Sequence, residues 1–403
     1  SRSIGSPSAL APFLYFIGGC EFEFILTELC SRPEDYVDFE FIYSYKHSSV
    51  TNPFLFLKEH AEDVYARRPD AVILSQHDGM VSAIQQIQLN RAESRDRQEQ
   101  FLERLAAQCE AMIQALLELK VPVVMQFFPW FRTDMLSRYE YSSDIYNERQ
   151  FMRRYEEIME EFACRYSDFY FLNLESAAGM RGFSRVFKQK DPPWYSHIAY
   201  PAATFAEEYT RFLKYILHLV QKVKCVIVDL DNTMWDGVIR DVGVENLQVR
   251  PERERFNWNV LSILNARGIL IGVISKNDAY LEEQIRPFID EYLCGVEFVC
   301  FRLNWKDKWE NLLEVQRELN IGLDSIAFID DNEFERHQMK TMLPEVRVYD
   351  EDVFEQLLYM PEFQPEFVTT ESRNRTRYYI QEEGRRQAQG ELSREDFLQQ
   401  CGF

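Results

Sequence analysis

The sequence predicts an α/β protein: two doubly wound parallel-sheet (Rossmann-like) domains, the second without a cap, followed by a helical, charged tail. Three observations predict this. Short β-rich runs alternate with stretches of helical period, the alternation restarts near residue 220, and 403 residues with 46% hydrophobic content are enough to fill two cores. The expected boundaries are 10–220, 221–360 and 361–403.

In the first domain the strand-like runs are Phe13 to Gly18 (FLYFIG), Asp38 to Ser44, Asp70 to Ser75 and Val121 to Phe127, each bounded by turn or polar residues. Phe101, Leu105, Cys109, Met112, Leu116 and Leu119 recur at spacings of three or four, a helical period. Phe169 to Asn173 adds a strand, and an amphipathic helix is expected from Phe205 to Val223. The second alternation begins at Cys225 with CVIVDL. It continues through Gly268 to Ser275, Gly295 to Phe301, Ser325 to Asp330 and Val346 to Tyr349, with helical stretches such as Trp309 to Leu319 between them. Beyond Pro361 the chain turns arginine-rich from Arg373 to Arg386 and closes on the amphipathic LSREDFLQQCGF. The abrupt ends point to a segment cut from something longer.

Charge and cysteine usage exclude several function classes. A net charge of -21 and a pI near 4.9 argue against a nucleic-acid partner, which calls for a basic footprint. No stretch approaches the ~20 apolar residues of a membrane span, and the N-terminus has neither a basic region nor an apolar one behind it, so a cytoplasmic protein is expected. The eight cysteines are scattered with no C-x-x-C pair, the pattern of reduced core thiols rather than of a zinc site or disulfide framework.

The chemistry concentrates in VIVDLDNTMWDGV, where an apolar strand finishes on Asp229 and Asp231. In open α/β sheets sites form at the carboxyl ends of strands. Two other strands of this domain end in polar clusters: Ser275, Lys276, Asn277 and Asp278 after one, Asp330 and Asp331 after the other. Acidic groups gathered at one sheet edge repel one another unless a cation sits among them. A hard divalent ion with oxygen ligands, Mg²⁺ by preference, relieves that cost and leaves room for phosphate oxygens. Ser275 and Lys308 could then hold a phosphoryl group, Lys276 being the competing lysine. A carboxylate that forms an aspartyl-phosphate is an established solution for phosphoryl transfer.

In order and spacing, DLDNT (Asp229 to Thr233), VIS ending on Ser275, Lys308, and the pair Asp330-Asp331 resemble the four motifs of the haloacid dehalogenase (HAD) superfamily. The resemblance implies Asp229 as nucleophile, Asp231 as general acid/base, and Ser275 and Lys308 as phosphate holders. It also implies a Mg²⁺ site at Asp330 and Asp331, with Asp229 and Asp231 expected to complete the metal set; Thr233, Lys276 and Asn277 are expected beside the substrate, and Trp235 either walls the substrate pocket or covers the core. KCVIVDLDNTMWDGVI, VISKND, LNWKDK and FIDDNEFER narrow it to the FkbH-like subfamily, which loads a three-carbon unit onto acyl carrier protein in polyketide assembly. Members typically read DLDNTLWGGVIGEDG, and this chain departs at Met234, Asp236, Arg240, Asp241 and Val242, which puts the identity of the three-carbon unit in doubt.

What that subfamily implies is a donor, 1,3-bisphosphoglycerate or a related acyl phosphate, an acceptor, the phosphopantetheine thiol of a carrier protein, and removal of phosphate. Such a reaction needs an acyl-accepting nucleophile as well. FLYFIGGC places Cys20 after the first strand, where a helix N-terminus would favour the thiolate. The first domain loosely resembles SGNH-type hydrolases, with Cys20 in the place of their serine. Gly18 and Gly19 would supply backbone donors, and His77 with Asp78, or Asp191 with His197, base and orienting partners. Three expectations follow: an acyl-loading enzyme, a Mg²⁺-dependent small-molecule phosphatase, or a non-catalytic docking domain of a megasynthase. A carrier protein is itself acidic, so docking calls for a local basic patch, with Arg373 to Arg386, Arg132, or Arg153 with Arg154 as candidates.

Overall fold

A computed structural model of the chain describes residues 12–18, 20–30, 38–43, 61–75, 94–127, 146–175, 179, 202–292, 296–365, 368 and 374–381. The chain divides into two units, Ser1–Leu217 and His218–Phe403.

The first unit holds strands β1 (Phe13–Gly18), β2 (Asp38–Tyr43), β3 (Ala71–Ser75), β4 (Val123–Phe127) and β5 (Phe169–Asn173). They form one parallel sheet in the order β2-β1-β3-β4-β5. Its helices include α1 (Cys20–Cys30), α2 (Arg95–Leu117), α3 (Glu148–Arg165) and α4 (Ala202–Ile216). Strand residues alternate between two apolar layers, because successive side chains point to opposite faces. Val72, Leu74, Val123 and Met125 pack with α2 and α3, whereas Phe16, Ile73 and Val124 pack with α1 and α4. The helical period expected around Cys109 is realised in α2, which buries Leu102, Cys109, Met112 and Leu116. A reciprocal cap starts α3: Asn147 Oδ1 accepts from Gln150 N–H at 2.9 Å, and Gln150 Oε1 accepts from Asn147 N–H at 3.0 Å.

The helix expected to run to Val223 stops at Ile216. His218 takes the left-handed φ of 53°, which a helix cannot carry through. Val223 belongs to the core of the second unit, where its N–H donates to the Glu362 carbonyl at 2.9 Å.

The second unit holds β6 (Cys225–Val228), β7 (Leu270–Ser275), β8 (Phe298–Leu303), β9 (Ile326–Ile329) and β10 (Arg347–Tyr349). This sheet is also parallel, in the order β10-β9-β6-β7-β8. Helices α5 (Glu254–Ala266), α6 (Glu282–Asp290), α7 (Lys308–Leu319) and α8 (Glu333–Met342) cover it. Val226 and Val228 face a core with Trp258 and Leu261 of α5, while Cys225 and Ile227 face one with Leu312 and Val315 of α7. Burial on both faces explains why β6 reads as an unbroken apolar run. Cys225 is packing, as its surroundings imply, and burial holds its thiol well above the ordinary range. Opposite Cys300, Gly272 is required by space, since a Cβ there would run into the Cys300 sulfur and Ile227.

The chain leaves β6 toward β7 on one side and later returns to place β9 on the other. The carboxyl ends of β6 and β9 therefore flank the switch point of the sheet, where ligand sites form. Between Asp231 and Ser275 the chain makes a turn, a helical turn at Ile239–Val242 and α5. Between Ser275 and Lys308 the described residues hold α6 and β8. No inserted domain roofs this edge among them. The core continues past Pro361: Phe363 is fully buried, and Arg375 donates to the Gly268 carbonyl at 3.1 Å from a helical stretch over 375–381. Among the described residues no helix is long and apolar enough to cross a membrane.

Candidate active site

The ladder hands each functional aspartate to the sheet edge. Asp229 N–H donates to the Ile329 carbonyl at 2.9 Å, extending the β6–β9 pairing by one residue. The Leu230 carbonyl then accepts from Thr233 N–H and Met234 N–H at 3.2 and 2.8 Å, winding a single helical turn. Asn232 takes φ 59°, and its side-chain oxygen accepts from Gly237 N–H at 3.1 Å. Asp236 and Gln248 then pair backbone to backbone, which closes the loop.

The centre is an ionic cluster. Asp229 is 4% exposed and Asp330 fully buried; Lys308 Nζ lies 2.9 Å from Asp229 Oδ1 and donates to Asp330 Oδ2 at 2.6 Å. Lys308 heads α7, where the helix dipole disfavours a cation, so the two carboxylates must supply its compensation. Burial alone would push the Lys308 ammonium down; Asp229 and Asp330 outweigh it and hold the ammonium above its ordinary value. For Asp330, burial raises the carboxyl to about 7, with the Asp229 charge adding and Lys308 opposing. Asp331 is also raised, by burial first and by Asp229 second.

The loop after β9 is pinned at several points. Asp330 Oδ1 accepts from Asn332 N–H at 2.9 Å, and the Asn332 side chain accepts from Phe334 N–H at 2.9 Å, capping α8. Arg336 donates to the Asp330 and Asp331 carbonyls at 2.8 and 2.6 Å. Thr233 Oγ1 accepts from Asp331 N–H at 3.2 Å, and Asn257 Nδ2 donates to the Thr233 carbonyl at 3.1 Å. Thr233 is thus a buried brace between the loops after β6 and β9.

Asp231 occupies a different environment. Its Oδ1 accepts from Trp235 Nε1–H at 2.9 Å and Ile239 N–H at 3.2 Å, and its Oδ2 accepts from Asn277 Nδ2–H at 3.1 Å. Burial raises its pKa, and the Trp235 bond opposes that rise. Both Asp231 oxygens are turned to these donors, and the carboxylates whose ligand oxygens gather together are Asp229, Asp330 and Asp331. Trp235 is fully buried, edge-on to Phe288 at 5.8 Å, and orients Asp231 from within the core. Asn277, itself buried, bridges Asp231 to Ser275 by also donating to Ser275 Oγ at 3.1 Å. Of the two candidate lysines, Lys308 joins Asp229. Lys276 instead donates to Glu335 at 2.6 Å and lies 3.8 Å from Asp307.

The donor set fits a hard divalent cation. Ligand oxygens of Asp229, Asp330 and Asp331 all lie within 4.8 Å of one another, and one ammonium does not neutralise three carboxylates. Asp229 Oδ1 is buried and, although close to Lys308, lies off the direction of a hydrogen bond, so it stays an unused acceptor.

Cys20 is the first residue of α1, directly beyond β1; its side chain lies outside the described residues, as do His197, His77, Asp78 and Asp191. Arg336, Glu335 and Asn257 carry site roles that the sequence did not announce. Arg336 and Glu335 had one signal, their place in the first turns of a helix that follows the Asp330-Asp331 pair; Asn257 had none.

No protein-family model matches the chain, and no curated protein does. Among solved structures it is similar to the N-terminal part of the protein BF1531 from Bacteroides fragilis, described as containing a phosphatase domain complexed with Mg. The two are 22% identical with a TM-score of 0.63, over 92% of this chain and 93% of that one. A second, the cobalt-bound deoxy-D-mannose-octulosonate 8-phosphate phosphatase of Haemophilus influenzae, is 14% identical over 45% of this chain and 96% of its own. Its TM-score of 0.22 is too low to bear on the argument. The chain shares the α/β fold of the first of these structures. At such identities the likeness speaks for the fold alone.

Proposed function

We propose that the second unit is a Mg²⁺-dependent phosphatase working through an aspartyl-phosphate. The observation that carries this is the convergence of Asp229, Lys308, Asp330 and Asp331 at the switch point, with Asp231 held separately by Trp235, Ile239 and Asn277. Mg²⁺ held by Asp229, Asp330 and Asp331 would offset their repulsion and polarise a phosphoryl oxygen. An Asp229 oxygen bonds to phosphorus as the bond to the leaving oxygen breaks, and Asp231, whose raised pKa favours the protonated form, gives its proton to that oxygen. Asp231 then takes a proton from water as the water oxygen bonds to phosphorus and the Asp229 carboxylate is released. The Lys308 ammonium, 2.9 Å from Asp229 Oδ1, would offset part of the negative charge there, and Ser275 would face the phosphoryl oxygens.

We further propose that the chain loads a three-carbon unit from 1,3-bisphosphoglycerate, or a related acyl phosphate, onto an acyl carrier protein. The motif resemblance to the FkbH-like enzymes supports this reading, as does the start of α1 at Cys20. The Cys20 thiolate attacks the acyl carbon and phosphate leaves. The phosphopantetheine thiol then displaces Cys20 from the thioester, its proton passing through His197, and the remaining phosphomonoester is cleaved at Asp229.

Intact-mass spectrometry of a carrier protein incubated with the chain, Mg²⁺ and 1,3-bisphosphoglycerate tests both parts. A three-carbon adduct on the carrier, lost in Cys20→Ala, is expected for the loading reaction. Phosphate release without an adduct reduces the function to a phosphatase, and neither product would remove both readings.

A further inference from the structure

The turn between β8 and α7 carries an exposed tryptophan on a rigid mount. In LNWKDK, Asn304 and Asn311 exchange side-chain amide bonds of 3.0 and 2.9 Å, and Asn304 Oδ1 also accepts from Lys306 N–H at 3.0 Å. These bonds fix the backbone around Trp305, and Trp305 Nε1–H donates to Asp278 Oδ1 at 2.8 Å. The Arg240 guanidinium lies 5.8 Å from the centre of its ring. Trp305 is nevertheless 55% exposed, and Tyr280, two residues beyond Asp278, is 70% exposed. A large ring held in one orientation but left in water stabilises the fold little, because its apolar surface is not removed from solvent.

Its place relative to the candidate active site follows from chain neighbours. Asp231 is held by Ile239 N–H and by the Asn277 side chain. The next residues along the chain, Arg240 and Asp278, are the two that clasp Trp305. The tryptophan is therefore mounted on the Asp231 side of the site. In the proposed phosphatase reaction Asp231 protonates the leaving oxygen, so whatever that oxygen carries extends toward this side. An exposed indole favours planar, weakly hydrated groups, since ring-on-ring contact adds dispersion and quadrupole attraction to the loss of apolar surface from water. A short aliphatic chain gains much less. Arg240 beside the same ring adds a cation that the face of an aromatic ligand attracts.

We propose that Trp305, with Arg240 and Tyr280, forms a leaving-group subsite, and that the second unit hydrolyses phosphomonoesters of alcohols bearing an aromatic ring as a further substrate class. The ring stacks on Trp305 while the phosphoryl group occupies the site at Asp229. The ring-bearing alcohol leaves with the proton from Asp231, and water then releases phosphate from Asp229 as described above. The inference rests on the phosphatase reading of this unit and is independent of the acyl-loading one.

The test measures phosphate release by the full chain with Mg²⁺ from a series of phenylalkyl phosphates, their cyclohexyl counterparts and ethyl phosphate. All are esters of weakly acidic alcohols, so ring recognition is separated from leaving-group reactivity. The best phenylalkyl phosphate is expected to exceed ethyl phosphate in kcat/KM by about tenfold and its own cyclohexyl counterpart by about threefold, mainly through KM. In Trp305→Ala both ratios should fall to near one. Each ratio is taken within one variant, so any loss of folded protein cancels. Equal values for phenyl and cyclohexyl esters in the wild type, or a ring preference that survives Trp305→Ala, would overturn the subsite. Titration calorimetry with the matching phosphonates, which carry a carbon in place of the ester oxygen and are not cleaved, reads binding alone. A ring preference in binding that Trp305→Ala removes, without turnover of any ester, would keep the subsite and remove the phosphatase reading. Turnover of ethyl phosphate without any ring preference would do the reverse.

Discussion

The two sheets carry opposite chemistries on the same architecture. Each is a five-stranded parallel sheet whose chain reverses direction around a central strand. At the edge of the second, three carboxylates crowd a buried lysine, and nearly every neighbouring polar group is spoken for. At the edge of the first, the row Gly18, Ser75, Gln126 is uncharged and ends on an amide with no partner. A parallel sheet thus offers a place for a site without dictating its charge; the loop residues decide that. The ionic edge suits phosphorus, whose transfer is governed by charge, while the neutral edge offers no such charge.

The contrast breaks most sharply at the proposed nucleophile, Asp229. Asp229→Asn should lower Mg²⁺-dependent phosphate release by on the order of 10⁴-fold or more, because an amide is a far poorer nucleophile than a carboxylate. Release from an acyl phosphate, measured with a colorimetric phosphate assay, checks it; activity within tenfold of wild type would remove Asp229 from that role. Next in size is Lys308→Met. Removing the ammonium leaves Asp229 and Asp330 buried with no counter-charge, at a cost of about 3–5 kcal/mol in unfolding free energy. Urea denaturation should show that loss without Mg²⁺ and recover much of it at millimolar Mg²⁺, since the cation takes over part of the compensation. A loss that Mg²⁺ does not touch would mean that the carboxylates hold no metal.

How much of this was legible depended on whether a residue's role is written in its own type. Asp229, Asp330 and Asp331 stood out because carboxylates at strand ends have few structural reasons to be there. The alternation of apolar runs gave both sheets for the same reason: periodicity reports burial directly. The orientation of Trp235 and Thr233 was not legible because sequence adjacency to Asp229 says nothing about which way a side chain turns. Both turned inward, to a carboxylate and to a backbone amide. Arg336 was invisible because it bonds backbone carbonyls, which every residue has. The overlong helix before Val223 has a similar cause, since Leu217 and Val223 continue an apolar pattern that belongs to two cores.

A finer cut within the ionic edge is Trp235→Phe. It keeps the ring in the core and removes only the N–H that holds Asp231 at 2.9 Å. The expected result is a fall in kcat of about tenfold with KM unchanged, because proton delivery is misaligned while substrate binding is not. Stability should fall by about 1 kcal/mol. An unchanged kcat would show that Ile239 N–H and Asn277 suffice to orient Asp231.

The smallest effect lies on the other side of the comparison, where an acid is buried with no lysine to match it. Glu156 of α3 is raised from 4.5 to about 7 by burial, with Glu175 and Glu160 adding and Arg153 only partly opposing. The folded state therefore binds this proton more tightly than the unfolded chain does, and stability must fall as pH rises between those two values. Below about pH 4.5 both states are protonated and the group is neutral in its effect; above pH 7 the full penalty is present. Glu156→Gln removes the charge and keeps the shape, so it should raise the melting temperature at pH 8 and leave it unchanged at pH 4.5. The group is half-buried and solvent screening trims the effect, so the gain at pH 8 should be on the order of 1 kcal/mol or less. The same gain at both pH values would show that the substitution acts through packing and not through charge, and the carboxyl of Glu156 would then be one the solvent already satisfies.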